Sequence, residues 1–157
     1  MPSSQLADNI GYQLQLAALT SNHEARQELA GLQLTPARVT ALVHIRDQPG
    51  CDQTELGQRL LVNRAAGMKI ANALAEQGLI KRIEGRDRRS RGLTLTPYGK
   101  QMLADATRRL ARAGDLTCRG LDENERERLL HLLRKLNAAN VSAVDPSAPP
   151  HGLPNVL

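Results

Sequence analysis

Two short helix patterns followed by an arginine-rich hairpin, between Asp52 and Lys100, constrain this chain more than any other feature. Asp52, Gln53, Thr54 and Glu55 have the spacing of a capping box, with Asp in place of Ser or Thr, so a helix is predicted to start there. Leu56 and Leu60 give it one apolar face. Val62 and Asn63 read as a turn, and Asn63 is a good N-cap for a second helix from about 64 to 77. Ile70, Ala71 and Leu74 are expected to face inward on that helix. Gly78 is the expected left-handed residue that closes it. Residues 79–83 and 92–95 read as two short strands around a charged loop. Two helices and a basic hairpin are the sequence form of a winged helix-turn-helix.

The flanking segments read as helices. Leu6, Ile10, Leu14, Ala17 and Ala18 recur at helical spacing, and residues 5–30 are expected to form a helix or a broken pair. Ser21 or Asn22 is the expected cap at the break, and Gly31 the end. Thr35-Pro36 and Thr96-Pro97 are the same helix-start device, with Thr as N-cap and Pro in the first turn. Val39, Leu42 and Val43 form the stripe of the first helix so started, which Pro49-Gly50 stops. Met102, Leu103, Ala106, Leu110 and Ala113 form the stripe of the second. Asp122-Glu123 places acid at the start of a last helix. Its leucines, Leu129, Leu130, Leu132, Leu133 and Leu136, span a face too wide for a lone surface helix. They call for a partner, and Leu6, Ile10 and Leu14 supply one across a symmetric interface. The tail beyond Ser142 carries four prolines and is expected to be loosely attached.

Composition agrees with a mainly helical fold. Of 157 residues 41% are apolar, yet there is no Trp or Phe and Tyr12 and Tyr98 supply all the aromatic rings. Such a core is Leu, Ala, Val and Ile at helical spacing rather than an extended sheet. The net charge of +5 suits an anionic partner. Cys51 and Cys118 make neither a disulfide scaffold nor a zinc motif. His23, His44, His131 and His151 are scattered, without metal-ligand spacing. No apolar run approaches the roughly 20 residues needed to span a membrane, and the N-terminus has no secretory pattern. The chain is therefore expected in the cytoplasm. No nucleophile–base set or carboxylate pair points to an enzyme, and no cofactor is implied.

A helix-turn-helix lays its second helix in the major groove, with N-terminal residues nearest the base edges. Here that end offers Asn63, Arg64, Ala65 and Ala66, followed by Lys69 and Asn72. Arg64 can pair bidentately with guanine and Asn72 with adenine, while the alanines offer contact to thymine methyls. Gly67 inside a helix costs about 1 kcal/mol relative to Ala. Close approach of a backbone, either DNA or a neighbouring helix, would rationalise it. In the hairpin, Lys81, Arg82, Arg86, Arg88, Arg89 and Arg91 are offset by Glu84 and Asp87. An arginine-rich tip fits a narrow minor groove, and Asp87 can orient Arg89 through a charged hydrogen bond. Lys81, Arg82 and Arg91, on the strands, read as phosphate contacts.

Residues 34–110 resemble the MarR family of bacterial transcriptional regulators. The resemblance is carried by Glu55-Leu56, by Leu74 with Gly78-Leu79-Ile80 and Arg82, by Asp87-Arg88-Arg89, and by Leu95-Thr96 with Gly99. It implies a mainly α fold with a small β-hairpin: a winged helix-turn-helix domain plus N- and C-terminal dimerisation helices. The implied division is 1–33 and 97–140 for dimerisation, 34–96 for DNA binding, and 141–157 as a tail. It also implies a homodimer on a pseudo-palindromic operator, with Arg89 in the minor groove and Asp87 as its partner. The family often has Ser or Thr where this chain has Ala65, Ala66 and Gly67, which shifts weight to Arg64, Lys69 and Asn72. Family members commonly release DNA on binding a small aromatic or anionic molecule. Tyr12, His44 and Arg46 lie on helices that border that pocket in the family. The expected function is a ligand-responsive repressor. The rival readings are a cysteine-based redox regulator of the same fold and a winged helix used only for protein contacts.

Overall fold

In a computed structural model, residues 4–84 and 91–141 are described. Arg86, Asp87, Arg88 and Arg89, and the proline-rich tail, lie outside the described residues. The elements run α1 (Ser4–Ala7), α2 (Ile10–Leu29), a 3-10 turn (Ala30–Leu32), α3 (Pro36–Asp47), α4 (Gln53–Arg59) and α5 (Arg64–Glu76). Then follow β1 (Ile80–Glu84), β2 (Arg91–Leu95), α6 (Pro97–Thr117) and α7 (Glu123–Val141). The fold is mainly helical with one small antiparallel hairpin.

Local chemistry starts most of these helices. Thr35 and Thr96 accept from the backbone N–H of Arg38 and Gly99, each with proline at the next position. Asp52 Oδ1 accepts from Thr54 N at 2.7 Å and Glu55 N at 2.8 Å, while Glu55 Oε2 accepts from Asp52 N at 2.9 Å. Both halves of the capping box are therefore made. Asn63 Oδ1 accepts from Ala66 N at 2.8 Å. A second capping box, not anticipated, opens α7: Asp122 and Glu125 exchange backbone-to-carboxylate bonds at 2.9 Å.

The N-terminal break falls elsewhere than expected. Asn9, not Ser21 or Asn22, caps α2, its Oδ1 accepting from Tyr12 N at 2.9 Å. Ser21 and Asn22 sit inside a continuous helix. At the far end Gly31 lies within the 3-10 turn, and Gln33, with φ of 54°, makes the left-handed exit. The α4–α5 turn likewise relies on Leu61, with φ of 53°.

Leu29, Leu42, Ile45, Leu56, Leu74 and Leu93 are the largest fully enclosed side chains. They come from α2, α3, α4, α5 and β2, so one core ties the two-helix unit to the hairpin. Removing any one of them to Ala costs about 2–5 kcal/mol. α2 lies along α6, where Arg109 Nη1 donates to Glu28 O at 3.2 Å and Arg112 pairs with the Glu28 carboxylate at 3.0 Å.

Where α5, the hairpin and α6 meet, the backbones touch. Thr96 Oγ1 donates to Gly78 O at 2.7 Å and accepts from Gly99 N at 2.9 Å, and Thr96 N donates to Leu79 O at 3.0 Å. A Cβ on Gly99 would lie 1.9 Å from Leu79 O, which no rotamer change relieves. Gly99→Ala is therefore expected to lower thermal stability more than Asp52→Ala. The cap variant should cost about 1 kcal/mol, or about 2–4 °C in a chain of this size. Calorimetry of the two variants checks the order.

Candidate nucleic-acid interface

The helix pair is set backbone to backbone. A Cβ on Gly67 would come within 3.0 Å of Gly57 Cα and 3.4 Å of Gln53 O. Gly67 is buried, so of the two partners its position allowed, the neighbouring helix α4 is the one it meets. This close seat turns the opposite side of α5 outward.

Arg64, Ala65, Met68, Lys69 and Asn72 are exposed on that side, spaced three and four apart. Ala66 is half-buried and its N–H is taken by the Asn63 cap. Met68, 40% exposed, escaped the sequence reading because an apolar residue in a helix is ordinarily assigned to the core. Its thioether would add flexible apolar contact beside Ala65.

The hairpin is fixed to the same unit. β1 and β2 pair antiparallel, with Ile80 opposite Leu95, Arg82 opposite Leu93 and Glu84 opposite Arg91. A third segment joins this sheet. Leu93 N donates to Cys51 O and Gly50 N to Leu93 O, both at 2.8 Å. Gly50, with φ of +89°, permits the bend, and Gly92 permits the approach, since a Cβ there would lie 2.9 Å from Gly50 Cα. The wing base thus pairs with the loop before α4, which no sequence pattern indicated.

Side chains facing each other across directly opposed positions share one face of the sheet. Arg82 is therefore on the face of Ile80, Leu93 and Leu95, towards α5. It donates from Nη2 to Asn72 Oδ1 at 2.6 Å. The sequence reading made Arg82 a phosphate contact and Asn72 a bidentate reader of adenine. The structure pairs the two with each other, because the pleat places them on facing surfaces of adjacent elements. Arg64, Lys69 and Arg91 are exposed and make no ion pair among the described residues.

Tyr12, His44 and Arg46, the three candidate ligand residues, share no hydrogen bond among the described residues. Tyr12 is half-buried in the first turn of α2, and no hydrogen bond among the described residues joins it to His44 or Arg46. His44 is half-buried on α3, and Arg46 is exposed and bonded to Asp47 at 2.8 Å. Gln48, Glu55, Gln58 and Arg59 line an open depression of about 330 Å³ that includes none of the three. Among the described residues no group of His, Cys, Asp and Glu could hold a metal, and no helix is long and apolar enough to cross a membrane.

Burial, then the positive charge of Arg59, holds His44 below the ordinary 6.5, with Asp47 opposing. The folded chain therefore keeps the ring neutral where the unfolded chain protonates it. This contribution to stability is complete above about pH 6.5 and is lost as pH falls through 6.5 towards the folded value. His44→Gln should flatten the acid-side loss of melting temperature between pH 7.5 and 5.

Cys51 is buried, and burial, then the charge of Glu55, pushes its thiol up. A thiolate is the reactive form, so Cys51 is poorly placed for oxidant sensing. Cys118 is half-exposed at the end of α6. In a native titration with a chromogenic disulfide, a single fast-reacting thiol is expected, and Cys118→Ser should abolish it. A fast Cys51 would contradict this account.

These features can be set beside known proteins. The MarR family profile matches residues 32–90, from the 3-10 turn into the wing. A transcriptional repressor, CouR, bound to a 23-mer DNA duplex, has a TM-score of 0.78 and is 32% identical, over 87% of this chain and 98% of CouR. CouR bound to p-coumaroyl-CoA has a TM-score of 0.74 and 30% identity, over 87% and 97%. A protein of Thauera aromatica, described as a transcriptional regulator for the hcr operon, is 29% identical over 133 residues, 83% of this chain and 80% of its own length. The chain belongs to the MarR family and is a DNA-binding transcriptional regulator rather than an enzyme.

Proposed function

We propose that this regulator is a homodimeric repressor that holds a pseudo-palindromic operator and leaves it on binding an aromatic carboxylate or its coenzyme A thioester. The observation that carries the dimer is the apolar surface left uncovered at both ends of the chain. Ile10 is 76% and Leu19 63% exposed on α2, and Leu129, Leu130, Leu132 and Leu136 are exposed on α7. α7 is tied back at its start, where Arg126 bonds to Asp115 Oδ1 and Leu121 O. A monomer rarely leaves so many large apolar side chains in water. A two-fold partner would cover it with the same patch.

In this reading α5 enters the major groove with Asn63, Arg64, Ala65, Ala66, Lys69 and Asn72. The wing follows the backbone with Arg91 and reaches the minor groove with Arg86, Arg88 and Arg89, Arg89 being oriented by Asp87. Two such units on a dimer would meet half-sites about one helical turn apart.

The effector class rests on CouR, which is bound to p-coumaroyl-CoA. Tyr12 and His44, both half-buried, are the side chains against which we place the aromatic part. Arg46 would serve the carboxylate or phosphate only by leaving Asp47.

Sedimentation should give twice the 17.1 kDa chain mass, and Leu132→Glu with Leu136→Glu should shift it to the monomer. On a duplex selected from a randomised pool, affinity should fall steeply between about 50 and 200 mM salt. p-Coumaroyl-CoA, or an aromatic acid from a panel, should release the duplex while free coenzyme A does not. A monomeric wild type, or release by none of these compounds, would overturn the respective part.

A further inference from the structure

Arg82 and Asn72 are both exposed, one on the base of the wing and one on α5. They are joined by the 2.6 Å bond from Arg82 Nη2 to Asn72 Oδ1. A guanidinium has donors and no acceptor. The carboxamide oxygen must therefore face Arg82, and the amide N–H groups turn away from β1. An asparagine free to rotate can offer one donor and one acceptor together, the pattern that matches adenine N7 and N6. Asn72 cannot rotate freely while Arg82 holds its oxygen. It presents donors, and two adjacent acceptors, N7 and O6, are the major-groove pattern of guanine.

We propose that Arg82 is a specificity-determining positioning residue: by holding the oxygen of Asn72, it makes Asn72 select guanine over adenine at one base step of each half-site. The proposal rests on the reading that α5 lies in the major groove. Arg82 acts through Asn72, and the link spans two elements. The wing base therefore helps to set what the recognition helix reads, in addition to binding the duplex itself. The pleat makes this possible: Arg82 lies on the sheet face of Ile80, opposite Leu93, and that face looks onto α5.

The test is selection from a randomised duplex pool by the full chain and by Asn72→Ala, Arg82→Ala and Arg82→Lys, followed by sequencing. Asn72→Ala should flatten one step per half-site and so locate it. There the wild type should prefer guanine to adenine about tenfold, the scale of one good base contact. Arg82→Ala should shift that step to adenine or equalise the two, leaving the other steps unchanged. Arg82→Lys keeps a donor without an acceptor and should restore guanine.

Adenine preferred by the wild type at that step, or a step unmoved by Arg82→Ala, overturns the proposal. So does an Arg82→Ala chain that loses affinity equally for all sequences, with the salt slope reduced by about one, since that is the signature of a plain phosphate contact. A wild type that enriches no motif overturns the placement of α5 itself, and this proposal with it.

Discussion

The junction at Leu79 is the constraint on which the rest of the structure depends. Four pieces of chain converge there within hydrogen-bonding distance: the exit of α5, the start of β1, the end of β2 and the first turn of α6. Thr96 stitches three of them through one hydroxyl and one amide. Gly99 lets the backbones close on one another where any side chain would collide. Backbone-to-backbone seats leave little freedom of angle, because no flexible side chain separates the elements. The direction in which the wing leaves α5, and the direction in which α6 leaves the wing, are set together at this point.

Two more such seats repeat the arrangement. Gly57 and Gly67 bring α4 onto α5, and Gly50 and Gly92 bring the loop before α4 onto β2. Together with the enclosed leucines they make the helix pair and the wing base one rigid unit. Its outer surface carries Arg64, Lys69 and Arg91 as exposed cations around the small apolar strip of Ala65 and Met68. That mixture is suited to a duplex, with charge for phosphates and small apolar groups for base edges.

What could be read from the sequence was what depends on neighbours in sequence. Thr35, Asp52, Asn63 and Thr96 cap their helices because a cap needs only the residues two or three positions on. Gly78 closes α5 with φ of +70° for the same local reason. Asn9 was passed over because Ser21 and Asn22 are equally good caps on paper, and only packing decides which of the three is inside a helix. The seat of Gly67 needed its partner Gly57 to be known. Asn72 and Arg82 are ten residues apart on different elements, and the addition of Cys51 to the wing sheet crosses more than forty residues. Neither leaves a periodic signal. The leucine face of α7 was legible as a face needing cover, since amphipathic width is a property of one helix. The wing tip, where the sequence is richest in arginine, lies outside the described residues.

The contact between Gly57 and Gly67 also bears on how such a regulator can diversify. A Cβ at position 67 would sit 3.0 Å from Gly57 Cα and push α4 away, so change there is resisted by shape rather than by chemistry. Positions 64, 65, 68, 69 and 72 are exposed and lie away from that seat, so replacing them leaves the contact between α4 and α5 in place. If α5 reads the major groove as proposed, a lineage carrying this fold can exchange one operator for another by changing a handful of surface letters, while the seat that aims them is kept.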